Sequence, residues 1–156
     1  MLPSATVFTS IVCPVDFSDH SVRALNLAID VSELTDAHLT VVHVVDGFLA
    51  SAAEATGNAD TVADQTQQEL RDLMKRVAAS RPRVPNHLGI SVVIGDPAAE
   101  ILNQVKECEA DLIVMGTQGL EGTKRLVFGS TTERVLREAT VPVLAVPAPP
   151  ENENET

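Results

Sequence analysis

The chain has 156 residues, enough for one domain with a sizeable core; 44% of them are apolar, with no run near the roughly 20 apolar residues of a membrane span. The formal net charge is −11, from 22 acidic and 11 basic residues, and Trp and Tyr are absent. That balance argues against nucleic acid as a partner, because a duplex binder needs Lys and Arg against phosphates and a single-strand binder needs stacking aromatics.

The start, MLPSATVFTSIVCPVDF, lacks the basic flank and long apolar core of a signal peptide. Cys13 and Cys108 have no disulfide-framework or metal-ligand spacing. They read as reduced, buried small hydrophobes, in a protein expected to be cytoplasmic. Ile11 to Val15 is a near-continuous apolar run rich in β-branched residues, as expected of a strand buried on both faces. Asp16 follows it, where a strand-end carboxylate could accept bonds from a ribose or hold a metal. Ser18 then opens a helix with Val22, Leu25, Ala28 and Ile29 on one face. Asp16, Ser18, Asp19 and His20 are triad residue types, but neighbours this close in sequence rarely let a base touch both nucleophile and orienter. Ser18 reads instead as a helix cap, and Asp19 as a charge favoured at the positive helix end.

Leu39 to Val45 is the second predicted strand, with His43 read as a core histidine whose bonds are satisfied. Residues 46 to 60, DGFLASAAEATGNAD, are small, polar and weakly patterned. They are expected to form a flexible loop on the rim that Asp16 shares, with room to act as a lid. Leu70, Leu73, Met74 and Val77 mark a second helix, and Leu88 to Ile94 a third strand. Asp96-Pro97 opens a third helix with an N-cap and a proline at its first position. Ala98, Ile101, Leu102 and Val105 follow at helical spacing. His20, His38 and His87 are scattered, and no zinc-ligand spacing appears.

Leu112 to Met115 is a fourth apolar strand, followed by Gly116-Thr117-Gln118-Gly119, nine residues, and Gly129-Ser130. A fourth helix starts after Ser130, and Val143 to Val146 is a short last strand. A strand, a glycine-punctuated loop and a helix N-terminus can together hold an anion: glycine lets a ligand approach the backbone, and first-turn N–H groups face it with the helix dipole behind them. The same residues also fit a plainer reading, in which the glycines are turn residues and Ser130-x-x-Glu133 is a capping box. Lys124 and Arg125 either offset phosphate charge or are solvated loop charges. The Walker pattern is absent, since Gly122 is followed by Thr123 and Lys124, and no G-x-G-x-x-G follows the first strand. Residues 148–156 read as a disordered acidic tail, leaving a domain over 1–147.

Strand and helix alternate throughout, which predicts an α/β domain with a mostly parallel sheet and right-handed crossovers. In such sheets ligands bind beyond the C-terminal strand ends, where strand order reverses. If strands one and four are neighbours there, Asp16 and the glycine loop face one crevice.

At this point the pieces resemble a family, the universal stress proteins of the ATP-binding type. Gly116, Gly119, Gly129 and Ser130 match its G-x2-G-x9-G-[ST] signature without a gap. "IVCPVDFSDHSVRAL", "LTVVHVVD", "GDPAAEIL" and "VPVLAVP" look like its first strand and helix, second strand, turn into helix three, and last strand. The resemblance covers about Thr9 to Pro147. It implies a five-stranded parallel sheet in order 3-2-1-4-5 with helices on both faces, an adenine nucleotide alpha hydrolase-like, Rossmann-like fold. It implies ATP as ligand, with Mg²⁺ or Mn²⁺. Asp16 would lie near the ribose and Val44 would meet adenine through its backbone, while Gly116, Gly119, Gly129, Ser130 and Thr131 hold ribose and phosphates. Gln118 stands where the family commonly has histidine or arginine, which would weaken phosphate binding. The function implied is a cytoplasmic, dimeric, nucleotide-dependent sensor or regulator with slow or no ATP hydrolysis, paired as a homodimer through Val143 to Val146. No residue is assigned a catalytic role. The alternatives are an ATP-using phosphoryl or adenylyl transferase, and a nucleotide-free interaction module.

Overall fold

Five apolar runs become five strands, each within a residue or so of the predicted bounds. The computed structural model describes residues 7–118 and 128–147. Gly119, Lys124, Arg125 and residues 148–156 lie outside the described residues, with the expectations that rest on them. The strands are β1 (Ser10–Pro14), β2 (His38–Asp46), β3 (Leu88–Gly95), β4 (Leu112–Gly116) and β5 (Val143–Val146). The helices are α1 (Asp19–Thr35), α2 (Gly47–Ala55), α3 (Ala59–Ala79), α4 (Pro97–Glu107) and α5 (Ser130–Glu138). All neighbouring strands are parallel, in the order β3-β2-β1-β4-β5.

Side chains alternate between the two faces of a strand, and each face carries its own core. Ile11, Cys13, Leu112 and Val114 pack with Leu25 and Ile29 of α1 and Leu70 and Leu73 of α3. Val12, Val42, Ile113 and Met115 pack with Ile101 and Val105 of α4 and Val135 of α5. β1 and β4, central and covered on both faces, are buried at nearly every position. This is why both read as unbroken apolar runs. Each fully buried Leu or Ile contributes about 1.5–3 kcal/mol of transfer free energy.

The predicted caps form at α1 and α4. Ser18 caps α1, its Oγ accepting the Ser21 N–H at 3.3 Å. Asp96 caps α4 through the Ala99 N–H at 3.0 Å, with Pro97 at the first helical position. Two expectations need correction. Residues 46 to 60 are not a loop: Asp46 caps α2 through the Phe48 N–H at 2.8 Å, and α3 begins at Ala59. No residue of α2 is buried, so its sequence has no apolar period to betray it. Its alanines still favour helix. Cys13 is fully buried, and burial pushes its thiol well above the ordinary range. Cys108, by contrast, is only half-buried, its Sγ 3.7 Å from Thr40 Oγ1.

At the opposite end of the sheet from the crevice, Asp111 ties the start of β1 to that of β4. Its carboxylate accepts the Thr9 N–H at 2.9 Å, the Thr9 hydroxyl at 3.0 Å and the Ser10 N–H at 3.1 Å. Burial raises its pKa, but these hydrogen bonds outweigh burial and hold it below the usual carboxylate range. A depressed folded-state pKa gives stability that is present above the unfolded value and lost as pH falls through the folded one. Asp111→Asn is therefore expected to cost about 1 kcal/mol at neutral pH and to flatten the loss of stability below pH 4. Urea titrations across acid pH check this: an equally steep acid limb in the variant removes Asp111 as its source.

Candidate functional site

The crevice forms because β1 leads to β2 and β3 on one side while β4 leads to β5 on the other. β1 and β4 are directly paired, with Ile11 opposite Leu112 and Val12 opposite Ile113. Their C-terminal ends bring Asp16 and Gly116 to the same rim, as the alternation predicts.

On the β1 side, Asp16 is half-buried. Its Oδ1 accepts the Ser18 N–H at 3.0 Å and the Ser18 hydroxyl, and its own N–H donates to Ser21 Oγ at 3.2 Å. One carboxylate oxygen thus organises the α1 N-terminus, while Oδ2 accepts no hydrogen bond from the described residues. Phe17 sits at φ 66, a left-handed conformation that costs a non-glycine residue about 1–2 kcal/mol. This turns the chain from β1 into α1 and sets the Phe17 ring 4.8 Å from the His43 ring. Nothing in the sequence signals it. His43 is half-buried, and its Nδ1–H donates to Val15 O at 2.8 Å.

β2 forms the next wall of the crevice. Val15 N–H donates to Val42 O at 2.8 Å, and the β1–β2 register ends at Pro14. In a parallel ladder a residue's N–H and C=O point to one side and alternate along the strand. Val42 and Val44 therefore both turn towards β1, and Val44 does so past its end. Its amide and carbonyl present a donor and an acceptor to the crevice, which suits the edge of a purine.

On the β4 side, α5 is clamped by two bonds: Gly129 N–H donates to Thr117 O at 2.9 Å, and Thr132 Oγ1 donates to Gly116 O at 2.9 Å. The capping-box expectation is corrected here. Gly129, not Ser130, is the N-cap, and α5 has no side-chain cap. Glu133 pairs with Arg137 at 3.1 Å instead of reaching back. The first intrahelical donor is Glu133 N–H, which meets Gly129 O at 2.9 Å. The N–H groups of Ser130, Thr131 and Thr132 therefore have no partner within the helix. With the positive end of the dipole behind them, they form an arrangement able to hold an anion. Ser130 is exposed there, Thr131 is half-buried, and Gln118 is buried.

Gly116 has a role the sequence did not disclose. It pairs with Val146 within the sheet, and a Cβ on it would lie 2.8 Å from His20 Cβ and 3.0 Å from His20 C. His20 in turn places Nδ1 3.4 Å from Thr117 Oγ1. The glycine is needed for α1 to approach β4 at the crevice floor. Arg134 is committed to Asp96 at 2.5 Å and Glu138 at 2.9 Å. Among the described residues no three His, Cys, Asp or Glu side chains gather as a metal site, and no helix is long and apolar enough to cross a membrane.

Asp16→Ala is expected to weaken nucleotide binding and to cost roughly 1 kcal/mol of stability through the lost support of the α1 cap. Calorimetric titration alongside thermal melts checks this. A variant that melts far lower yet binds normally would make Asp16 purely structural.

A family model described as the universal stress protein family matches residues 8–147. Universal stress protein MJ0531 of Methanocaldococcus jannaschii is 33% identical over 143 residues, covering 92% of this chain and 84% of that protein. Among solved structures, universal stress protein UspA from Lactobacillus plantarum superposes with a TM-score of 0.74 at 29% identity, over 88% of this chain and 97% of that one. A universal stress protein crystallised in complex with cAMP superposes with a TM-score of 0.64 at 26% identity, over 89% and 96%.

Proposed function

The chain belongs to the universal stress protein family, and on that premise we propose that it is an ATP-binding regulator which holds the nucleotide in the β1/β4 crevice. The observation that carries this reading is the uncapped first turn of α5, clamped to the end of β4 by Thr132 and Gly129. A phosphate there replaces the water that those amides otherwise need. Val44 meets adenine through its backbone, Asp16 meets the ribose, and Gly116, Gly119, Gly129, Ser130 and Thr131 frame the phosphates. The Gly129 amide is spent on Thr117, so its share is close approach and the donors are those of Ser130, Thr131 and Thr132. Mg²⁺ or Mn²⁺ supplies charge neutralisation to the phosphates of an acidic protein. The relative solved with cAMP supports an adenine nucleotide as the ligand class.

The reading extends to a cytoplasmic homodimer paired through β5, a sheet-edge strand whose Leu144 is 39% exposed. Native mass spectrometry of freshly purified protein tests ligand and oligomer together. Arrival without any bound or bindable adenine nucleotide would favour a plain interaction module. The site frames phosphates with backbone and hydroxyls and has no Walker lysine. Turnover of ATP by the isolated protein is therefore expected well below the roughly 1–100 s⁻¹ of kinases. Phosphate release measured under steady state checks this, and rates in that range that persist through further purification would favour a transferase.

A further inference from the structure

Among the described residues both edges of the sheet are open, but only one is defended. An edge strand offers unpaired N–H and C=O groups, and proteins blunt it with short length, proline or charge. β5 has four residues between Pro142 and Pro147. β3 has eight, with no proline inside it and no charged residue between Arg83 and Asp96. Leu39 N–H donates to His87 O at 2.9 Å, in register with Leu88. The backbones of Gly89, Ser91, Val93 and Gly95 therefore face β2, and those of Leu88, Ile90, Val92 and Ile94 face outward. Among the described residues no hydrogen bond reaches these four outward positions. Ile90 and Ile94 are 39% and 57% exposed on that edge.

We propose that the β3 edge is a self-association surface, on which a second copy of this chain pairs antiparallel about a two-fold axis at Val92. Two features select this occupant. About that axis Ile90 of each copy faces Ile94 of the other, so the apolar edge covers itself twice. Arg83 precedes the strand, while Glu100 follows it, Asp96 beside it being paired with Arg134. Antiparallel pairing sets the basic end of one copy beside the acidic end of the other, also twice. In a chain of net charge −11, most two-fold contacts would oppose like charges instead. An isologous contact of this kind closes on itself at that edge. It is independent of the nucleotide site and lies at the opposite edge from β5, so the two pairings together build assemblies larger than a dimer.

The test separates the two edges. Leu144→Lys removes the β5 contact, and light scattering of that variant over a wide concentration range is expected to give twice the monomer mass at the upper end. Adding Ile90→Lys and Ile94→Lys is expected to halve that mass, with circular dichroism unchanged. In the unmodified chain, the Ile90, Val92 and Ile94 amides are expected to exchange hydrogen more slowly as concentration rises. A Leu144→Lys protein that stays monomeric throughout overturns the proposal. So does a triple variant that stays dimeric, or amide exchange at β3 that ignores concentration.

Discussion

Thr131→Asp is expected to weaken ATP binding ten- to a hundred-fold while leaving the melting temperature unchanged or slightly raised. Thr131 is the second residue of α5, half-buried beside the first-turn amides that lack a partner within the helix. An aspartate there suits the positive end of the helix, worth about 0.3–1 kcal/mol. It competes for the same amides that a phosphate needs and opposes the phosphate's charge. Losing one hydrogen bond to a charged group costs about 1.5–3 kcal/mol. Binding and stability thus move in opposite directions, which a merely misfolded variant cannot imitate. Calorimetry with ATP and Mg²⁺, run beside a thermal melt, reads both. Wild-type affinity in the aspartate variant would remove the α5 terminus from the site.

Gly116→Ala is expected to destabilise the protein by about 1–3 kcal/mol, the range for overpacking a close contact. A new Cβ would meet His20 Cβ at 2.8 Å, His20 C at 3.0 Å and His20 O at 3.2 Å. Two of those three are backbone atoms, so no side-chain rotation relieves the clash. Either α1 moves off β4, or β4 shifts against Val146 and disturbs Thr132, which is bound to the Gly116 carbonyl. Chemical denaturation without nucleotide checks this. Unchanged stability with lost binding would mean that Gly116 serves a ligand's approach and not helix packing.

The β-branched runs Ile11 to Val15 and Leu112 to Met115 announced two strands buried on both faces, because an edge or half-exposed strand would have alternated. Ser18 and Asp96-Pro97 announced helix starts, because a capping side chain acts on its immediate neighbours. Where the sequence misled, the deciding partner was distant or the signal missing. Gly47–Ala55 buries nothing, so a helix passed for a loop. Ser130 and Glu133 have capping-box spacing, yet the chain enters α5 through Gly129, because its N–H is held by Thr117 and Thr132 is held by Gly116. Local pattern could not weigh those bonds.

Periodicity and end signals therefore established the α/β class and the order of every element but α2, since these depend on neighbours a few residues apart. Strand order 3-2-1-4-5 came with the family resemblance and not with periodicity. Four features are read only from the three-dimensional structure. Val44 has an open backbone because β1 ends beside it at Pro14. Asp16 divides its carboxylate because Phe17 turns left-handed to start α1. Gly116 is confined by His20. β3 has an undefended edge because nothing described pairs beyond it. Which backbone groups a fold satisfies and which it leaves for a ligand or a partner depends on where each strand stops relative to its neighbour. That alignment is set by packing across both faces of the sheet, not by any one stretch of residues.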